Sequence, residues 1–354
     1  MNIASLRTGA LAVIAGLVVL MLGLWAGGYD AVAALGALWR GAFGSWYAIG
    51  SATLVRSVPL ILIGLGICVA FRAAAFNIGA EGQFYAGAIA ATWVGLHTGG
   101  WPAPLAVAAV LAAATLAGAA WSALPAWLTF RFGVLEVIST LLLNFVAESL
   151  VSWMVQGPLQ EATRIYPESD PISEAARLPV LPGTRLHLGF LLAVLAAVLS
   201  WYVLARTVWG FKLLAVGTGP RAAEISGRIS PKVVAAVALV ASGALAGLAG
   251  GVEVGGVSYA LYQNLSPGYG FTGIAVALLA RLRPLGVLAT GILFGALETG
   301  AGAMQREAGI PAVAVYVVEA VIIIVVLLAE AWARRAAGRV AEADDAAAAE
   351  ARAA

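Results

Sequence analysis

The chain has 354 residues, 62% of them hydrophobic and 11% charged, with a mean hydropathy of +0.95. Soluble domains carry roughly 25% charged residues, so this composition excludes a soluble enzyme or binding module and is that of an integral membrane protein. A net charge of +2 is too small to argue for nucleic acid, and a single cysteine, Cys68 in an apolar run, leaves no intramolecular disulfide or cysteine metal cluster to form.

A membrane crossing needs about 20 apolar residues. Residues 11–26 come first, after a lone Arg7; with no clear A-x-A cleavage signal they read as a span, a signal peptide being the competing reading. A second, short span covers 57–71, opened by Pro59, with Arg56 free to snorkel at its end. Residues 82–130 carry no charge and are broken by GGWPAP at 99–104, which makes them spans three and four. Span five covers 135–155, and residues 156–185, with Pro158, Pro167, Pro171, Pro179 and Pro182, read as a solvated loop. Spans six and seven, 186–205 and 233–252, flank a polar island at 207–232. Residues 271–280 and 284–297 read as short or glycine-interrupted spans eight and nine, 310–331 as the tenth, and 336–354 as a charged, alanine-rich tail.

The expected fold is all-α: about ten transmembrane helices in two inverted five-helix halves, forming one membrane domain over residues 1–335. With the N-terminus in the cytoplasm, 14 of the 20 Lys and Arg fall on inside segments and 6 on outside ones. The positive-inside rule therefore puts both termini and the island in the cytoplasm and the proline-rich loop outside. Inverted halves bring two helix-breaking stretches into correspondence, FNIGAEGQ at 76–83 leading into span three and NLSPGYGFTG at 264–273 leading into span eight. Broken spans at matching places in two such halves point to a transport pathway.

Inside the island, Gly219-Pro220 starts a helix, Gly227 stops it, and Ser230-Pro231 opens the next. The result is a helix of about two turns, with Glu224 and Arg228 spaced i,i+4 and a face of little bulk at Ala222, Ala223 and Ser226. So short a helix needs a surface to lie against.

FNIGAEGQ, the run GVLEVISTLLLN at 133–144, the island's GTGPRAAEISGRIS at 217–230 and SGALAGLAGG at 242–251 together resemble the permease subunit of bacterial ABC importers for nucleosides and simple sugars. The resemblance runs from about Arg72 through span ten, and Asn-Ile-Gly-Ala-Glu-Gly is similar to the nucleoside branch rather than to the monosaccharide permeases. It implies a bacterial inner-membrane protein working with a second permease, two ATPase subunits and an extracytoplasmic binding protein. It makes the island's short helix the coupling helix that docks on the ATPase through Pro220, Arg221, Ala222, Ala223, Glu224, Ser226, Gly227 and Arg228. The chain has no G-x-x-x-x-G-K-[ST] loop and is expected to bind no cofactor of its own, ATP and Mg²⁺ belonging to the ATPase.

A pathway must satisfy polar groups away from lipid, and the candidates are Asn77 and Gln83 at the inner mouth, Asn144 and Glu148 in span five, and Gln263, Asn264 and Thr272 at the outer mouth. Phe76, Tyr262 and Phe271 are placed to stack on a base or a sugar face. Asn144 and Glu148 serve equally as packing glue, Glu136 reads as a surface charge, His97 and His187 as interfacial residues, and Arg164 and Arg185 as points facing the binding protein. The glycines at 243, 247 and 251 and at 291 and 295 read as close-packing faces. G-x-G-x-x-A at 217–222 lacks the βαβ unit a dinucleotide site requires, and Gly268-Tyr269-Gly270 lacks the Thr-Val of a potassium filter. The rival reading is an ion-gradient transporter or channel using Glu148 or Glu319, and an intramembrane enzyme is the third, though neither G-x-S-x-G nor H-E-x-x-H is present.

Overall fold

A computed structural model describes residues 18, 21–311, 317, 320 and 324. Most of the tenth span, of the first up to residue 20, the whole tail and Glu319 lie outside the described residues. In chain order the helices are α1 (Ala31–Phe43), α2 (Trp46–Arg72), α3 (Ala80–Leu96), α4 (Ala103–Phe132), α5 (Glu136–Val155), α6 (Gly189–Arg206), α7 (Val208–Thr218), α8 (Pro220–Ile225), α9 (Pro231–Ser258), α10 (Tyr269–Leu279) and α11 (Pro284–Ala308). Among the described residues the extended pairings are two isolated bridges, Glu168 with Tyr262 and Val180 with His187.

Six helices, α2, α4, α5, α6, α9 and α11, are long and apolar enough to cross a membrane. The expected short second span is instead a 27-residue helix that begins ten residues before Arg56. Its residues Ile49–Thr53 wind as a π-turn, and so do Val254–Ser258 at the end of α9. The glycines expected to break span nine do not: α11 is one helix of 25 residues. They mark where α2 comes close, since a Cβ at Gly295 would lie 2.7 Å from the Thr53 carbonyl and 2.9 Å from the Ser57 nitrogen. Helix α10, at 11 residues, spans about 16 Å, roughly half a hydrocarbon core.

The described residues form two units, Ala42–Ala296, and those that fall within 1–41 and 297–354. The second holds an exposed ion pair, Arg40 Nη2 to Glu307 Oε2 at 2.8 Å. In the first, α9 packs on α4 through small residues, as the glycine spacing predicts: Gly243 lies against Ser122 and Gly118, Gly247 against Gly118 and Ala114, Gly251 against Ala114. A Cβ at Gly247 would meet Gly118 Cα at 2.7 Å, so glycine is what lets the two backbones touch. The proline-rich loop is not merely solvated. Leu159, Ile172, Ala176, Leu178 and His187 are buried, and the loop is laced to residues 255–261 by bonds from Leu178 N to Gly255 O, Ile172 N to Tyr259 O and Ser169 N to Leu261 O, each 2.8 Å.

Candidate functional site

Between α2 and α3 the backbone of 73–79 is non-helical yet lies among spanning helices. Backbone of that kind is tolerated at membrane depth only where the protein itself satisfies it. Helix α5 does so with one polar face. Glu136 Oε1 accepts from Phe76 N (3.3 Å), Thr140 Oγ1 from Ile78 N (3.3 Å), and Asn144 donates to Ile78 O (2.9 Å) while accepting from Gly82 N (2.8 Å). These residues recur every four positions, one turn apart on the same side. Asn77 and Gln83 close on each other by paired amide bonds of 2.8 and 3.0 Å, and Asn77 also donates to Ser242 Oγ at 2.9 Å.

The two sequence breaks meet here. The first turn of α3 abuts that of α10 so closely that a Cβ at Gly270 would fall 2.6 Å from Glu81 Cα, and the buried Glu81 carboxylate accepts from Gly270 N at 2.6 Å. One carboxylate thus lies in the first turn of its own helix and on the unpaired amide end of another, the end of a helix that favours negative charge.

Beyond Asn144 the α5 stripe continues through Glu148 and Ser152. They line a cavity of about 230 Å³ with Tyr85, Gln263 and Asn264, and Gln263 Nε2 donates to Ser152 Oγ at 2.7 Å. Tyr262 and Asn264 border a second cavity, between the π-turns of α2 and α9. The structure therefore gathers Glu148, Tyr262, Gln263 and Asn264 around two adjoining cavities, and holds Asn77, Gln83 and Asn144 in a closed clasp. Phe76, half exposed, meets Phe71 edge to face at 5.2 Å, while Phe271 and Thr272 sit on the first turn of α10, the former exposed. His187, expected at an interface, is buried; its Nδ1 accepts from Gly189 N at 3.2 Å, its Nε2 has no partner among the described residues, and burial pushes its pKa from 6.5 down to about 4.

At the opposite end from that loop lie α7 and α8. Helix α8 starts at Pro220 and is followed by Gly227 at φ +68°, the stop the sequence predicts. It covers six residues, so Arg228 falls beyond its end and the i,i+4 pairing with Glu224 has no helix to ride on. Ala223 does not face outward: it is buried among Ala73, Leu204, Leu213, Val216, Val234 and Ala238. The residue that projects is Ile225, 86% exposed, beside a groove of about 790 Å³ bounded by Phe211, Leu214, Ala222 and Arg228. Six residues are too few for a period to reveal which face is buried. The island is also less polar than it reads, because Val208–Thr218 is an apolar helix whose Gly210, Leu213 and Val216 are buried.

The family model for the branched-chain amino acid transport system / permease component matches residues 49–327. The chain belongs to that permease family. The permease is 38% identical over 321 residues to the guanosine ABC transporter permease protein of Bacillus subtilis, covering 88% of this chain and 91% of that one. It is 36% identical to the glucose ABC transporter permease protein of Haloferax volcanii, covering 94% and 89%, and 33% identical to a nucleoside ABC transporter permease protein of Lactococcus lactis, covering 84% and 83%. No solved structure matches the permease. Its sequence pointed to the clasp through FNIGAEGQ, but Ile225 and the facing of Arg56 toward Glu253 depend on which helices pack together, and no spacing signals them.

Proposed function

We propose that this permease is the membrane-spanning subunit of an importer driven by separate ATP-binding-cassette ATPases, and that its cargo is a nucleoside or a related simple sugar delivered by an extracytoplasmic binding protein. The observation that carries the reading is the extent of the match: proteins named as ABC permeases for guanosine, nucleosides and glucose align with 84% to 94% of the chain. In this reading the chain crosses the membrane about ten times in two inverted halves with both termini in the cytoplasm. A second permease, identical or homologous, completes the pathway, and ATP and Mg²⁺ stay on the ATPases.

The short-helix end then faces the ATPase. Ile225, with Pro220, Arg221, Glu224 and Arg228 around it, is the knob, and the apolar groove behind it takes part of the partner's surface. Ala223 is the anchor. Its cluster joins α8 to Ala73 just past α2, to α7, and to Val234 and Ala238 of α9. A push on α8 is thereby passed to the clasped break and, along the rigid rod of α9, to the cavities at the far end.

The test is uptake of radiolabelled guanosine and glucose by proteoliposomes holding the permease, its partner subunits and the binding protein. Uptake of one probe that requires ATP hydrolysis and ignores a protonophore is the expected result. Uptake that persists with a hydrolysis-dead ATPase and collapses with the proton gradient would establish the ion-driven alternative, with Glu148 as its candidate site.

A further inference from the structure

The second cavity at the loop end, of about 380 Å³, is built where two π-turns face each other: Ser51 and Ala52 come from the turn in α2, Gly256 and Val257 from the turn in α9. A π-turn is energetically unfavourable in isolation, and such turns occur frequently at functional sites. Two of them bordering one cavity place side chains where a regular helix would not. The volume falls within the roughly 300–1,000 Å³ of small-molecule pockets.

The walls are held from behind. The His187 ring packs where a Cβ at Gly256 would be, at 2.7 Å, and Arg185 N donates to Ser51 Oγ at 3.0 Å, tying the long loop to the α2 turn. Around the cavity stand Arg56, Arg185, Glu253, Tyr262 and Asn264. Glu253 is buried, and Arg56 lines the same cavity. One carboxyl group facing two guanidiniums offers an acceptor and several donors around a single cavity. Glu253 disfavours an anion, and the two arginines disfavour a cation. A neutral solute with adjacent hydroxyls uses every group: a carboxylate accepts from two hydroxyls, and guanidinium and amide donate to ring or carbonyl oxygens. Tyr262 supplies a flat apolar face.

We infer that this cavity is a solute-recognition site on the permease itself, in which Glu253 accepts from the vicinal hydroxyls of a ribose or hexose and Asn264 and Tyr262 close over the ring. The inference rests on the importer reading. It adds that the membrane subunit, and not the binding protein alone, discriminates the cargo. Because Glu253 sits at the far end of the helix whose start packs around Ala223, occupancy of the cavity and motion of the short-helix end share one rigid element.

The test uses the assembled importer in proteoliposomes and compares uptake of guanosine with its 2′,3′-dideoxy analogue, and of glucose with a deoxyglucose. A charge-assisted pair of hydrogen bonds predicts that the wild type favours the intact diol by about 10- to 100-fold in kcat/KM. Glu253→Ala is expected to shrink that ratio to within about threefold. Asn264→Gly, at an exposed side chain whose backbone lies at φ +58°, a conformation glycine adopts without strain, is expected to lower it in the same direction and serves if the Glu253 variant fails to assemble with its ATPase. A ratio unchanged in an assembled Glu253→Ala importer, or in the Asn264 variant where that one fails, overturns the inference and leaves the importer standing. Wild-type complexes that carry neither guanosine nor glucose overturn the cargo class and the inference together.

Discussion

Two interruptions of helical structure in this permease have opposite fates. At 73–79 the break is largely covered, and the backbone of Phe76 and Ile78 finds its partners on the same chain, at Glu136, Thr140 and Asn144 on one face of α5. At 207–231 the break lies at the end of the bundle, where Ala223 is the buried residue of α8 and Ile225 is left projecting. The difference is set by solvent. Where other helices cover the backbone an unpaired amide has no alternative to the protein, so the local polar residues are consumed by structure. At the surface water satisfies the backbone, and side chains are free to meet a partner. Helix α5 shows both regimes along its length, consumed as far as Asn144 and open to a cavity from Glu148 onward.

The contrast breaks first at Asn144. Asn144→Leu removes a donor and an acceptor from two buried backbone groups and is expected to cost about 2–6 kcal/mol, read as loss of monodisperse protein and a lower thermal midpoint in detergent. If that variant were as stable as the wild type, the clasp would not hold the break. Ala223→Arg comes next. The sequence alone would place Ala223 on the docking face and leave insertion intact, whereas its burial predicts about 1–3 kcal/mol of overpacking and a folding defect.

His187 gives an effect of similar kind that depends on pH. Its folded pKa lies below its unfolded one, so the unfolded chain binds the proton more readily. The stability it contributes is complete above pH 6.5 and is lost as pH falls from 6.5 towards about 4. His187→Asn should flatten that part of a thermal-midpoint profile; an unchanged profile would show that the ring is not held neutral by burial. The smallest expected effect is at Glu148. Glu148→Gln, an exposed change on the open part of the same face, should alter stability by less than about 0.5 kcal/mol while lowering uptake several-fold. Unchanged uptake would remove Glu148 from the pathway.

Much of this was legible in the sequence because it rests on local rules. Gly219-Pro220, Gly227 and Ser230-Pro231 punctuate the island as proline and glycine chemistry requires, and the glycine spacing of α9 marks its close approach to α4. Other features were not. Gly291 and Gly295 have the composition of a break but the role of a contact, and only the proximity of α2 distinguishes the two. The π-turns carry no signature, since their register is imposed by what packs around them. Arg56 read as a snorkelling charge at a helix end because nothing in its own neighbourhood reveals Glu253 nearly 200 residues away.

The central claim is that motion enters the permease through the exposed side of α8. The measurement is copurification of the ATPase with tagged Ile225→Arg, beside its membrane insertion and thermal stability. The expected result is a stably inserted permease that brings no ATPase with it, since 86% of Ile225 is open to solvent and its replacement disturbs nothing inside the chain. Full recovery of the ATPase with that variant would contradict the claim.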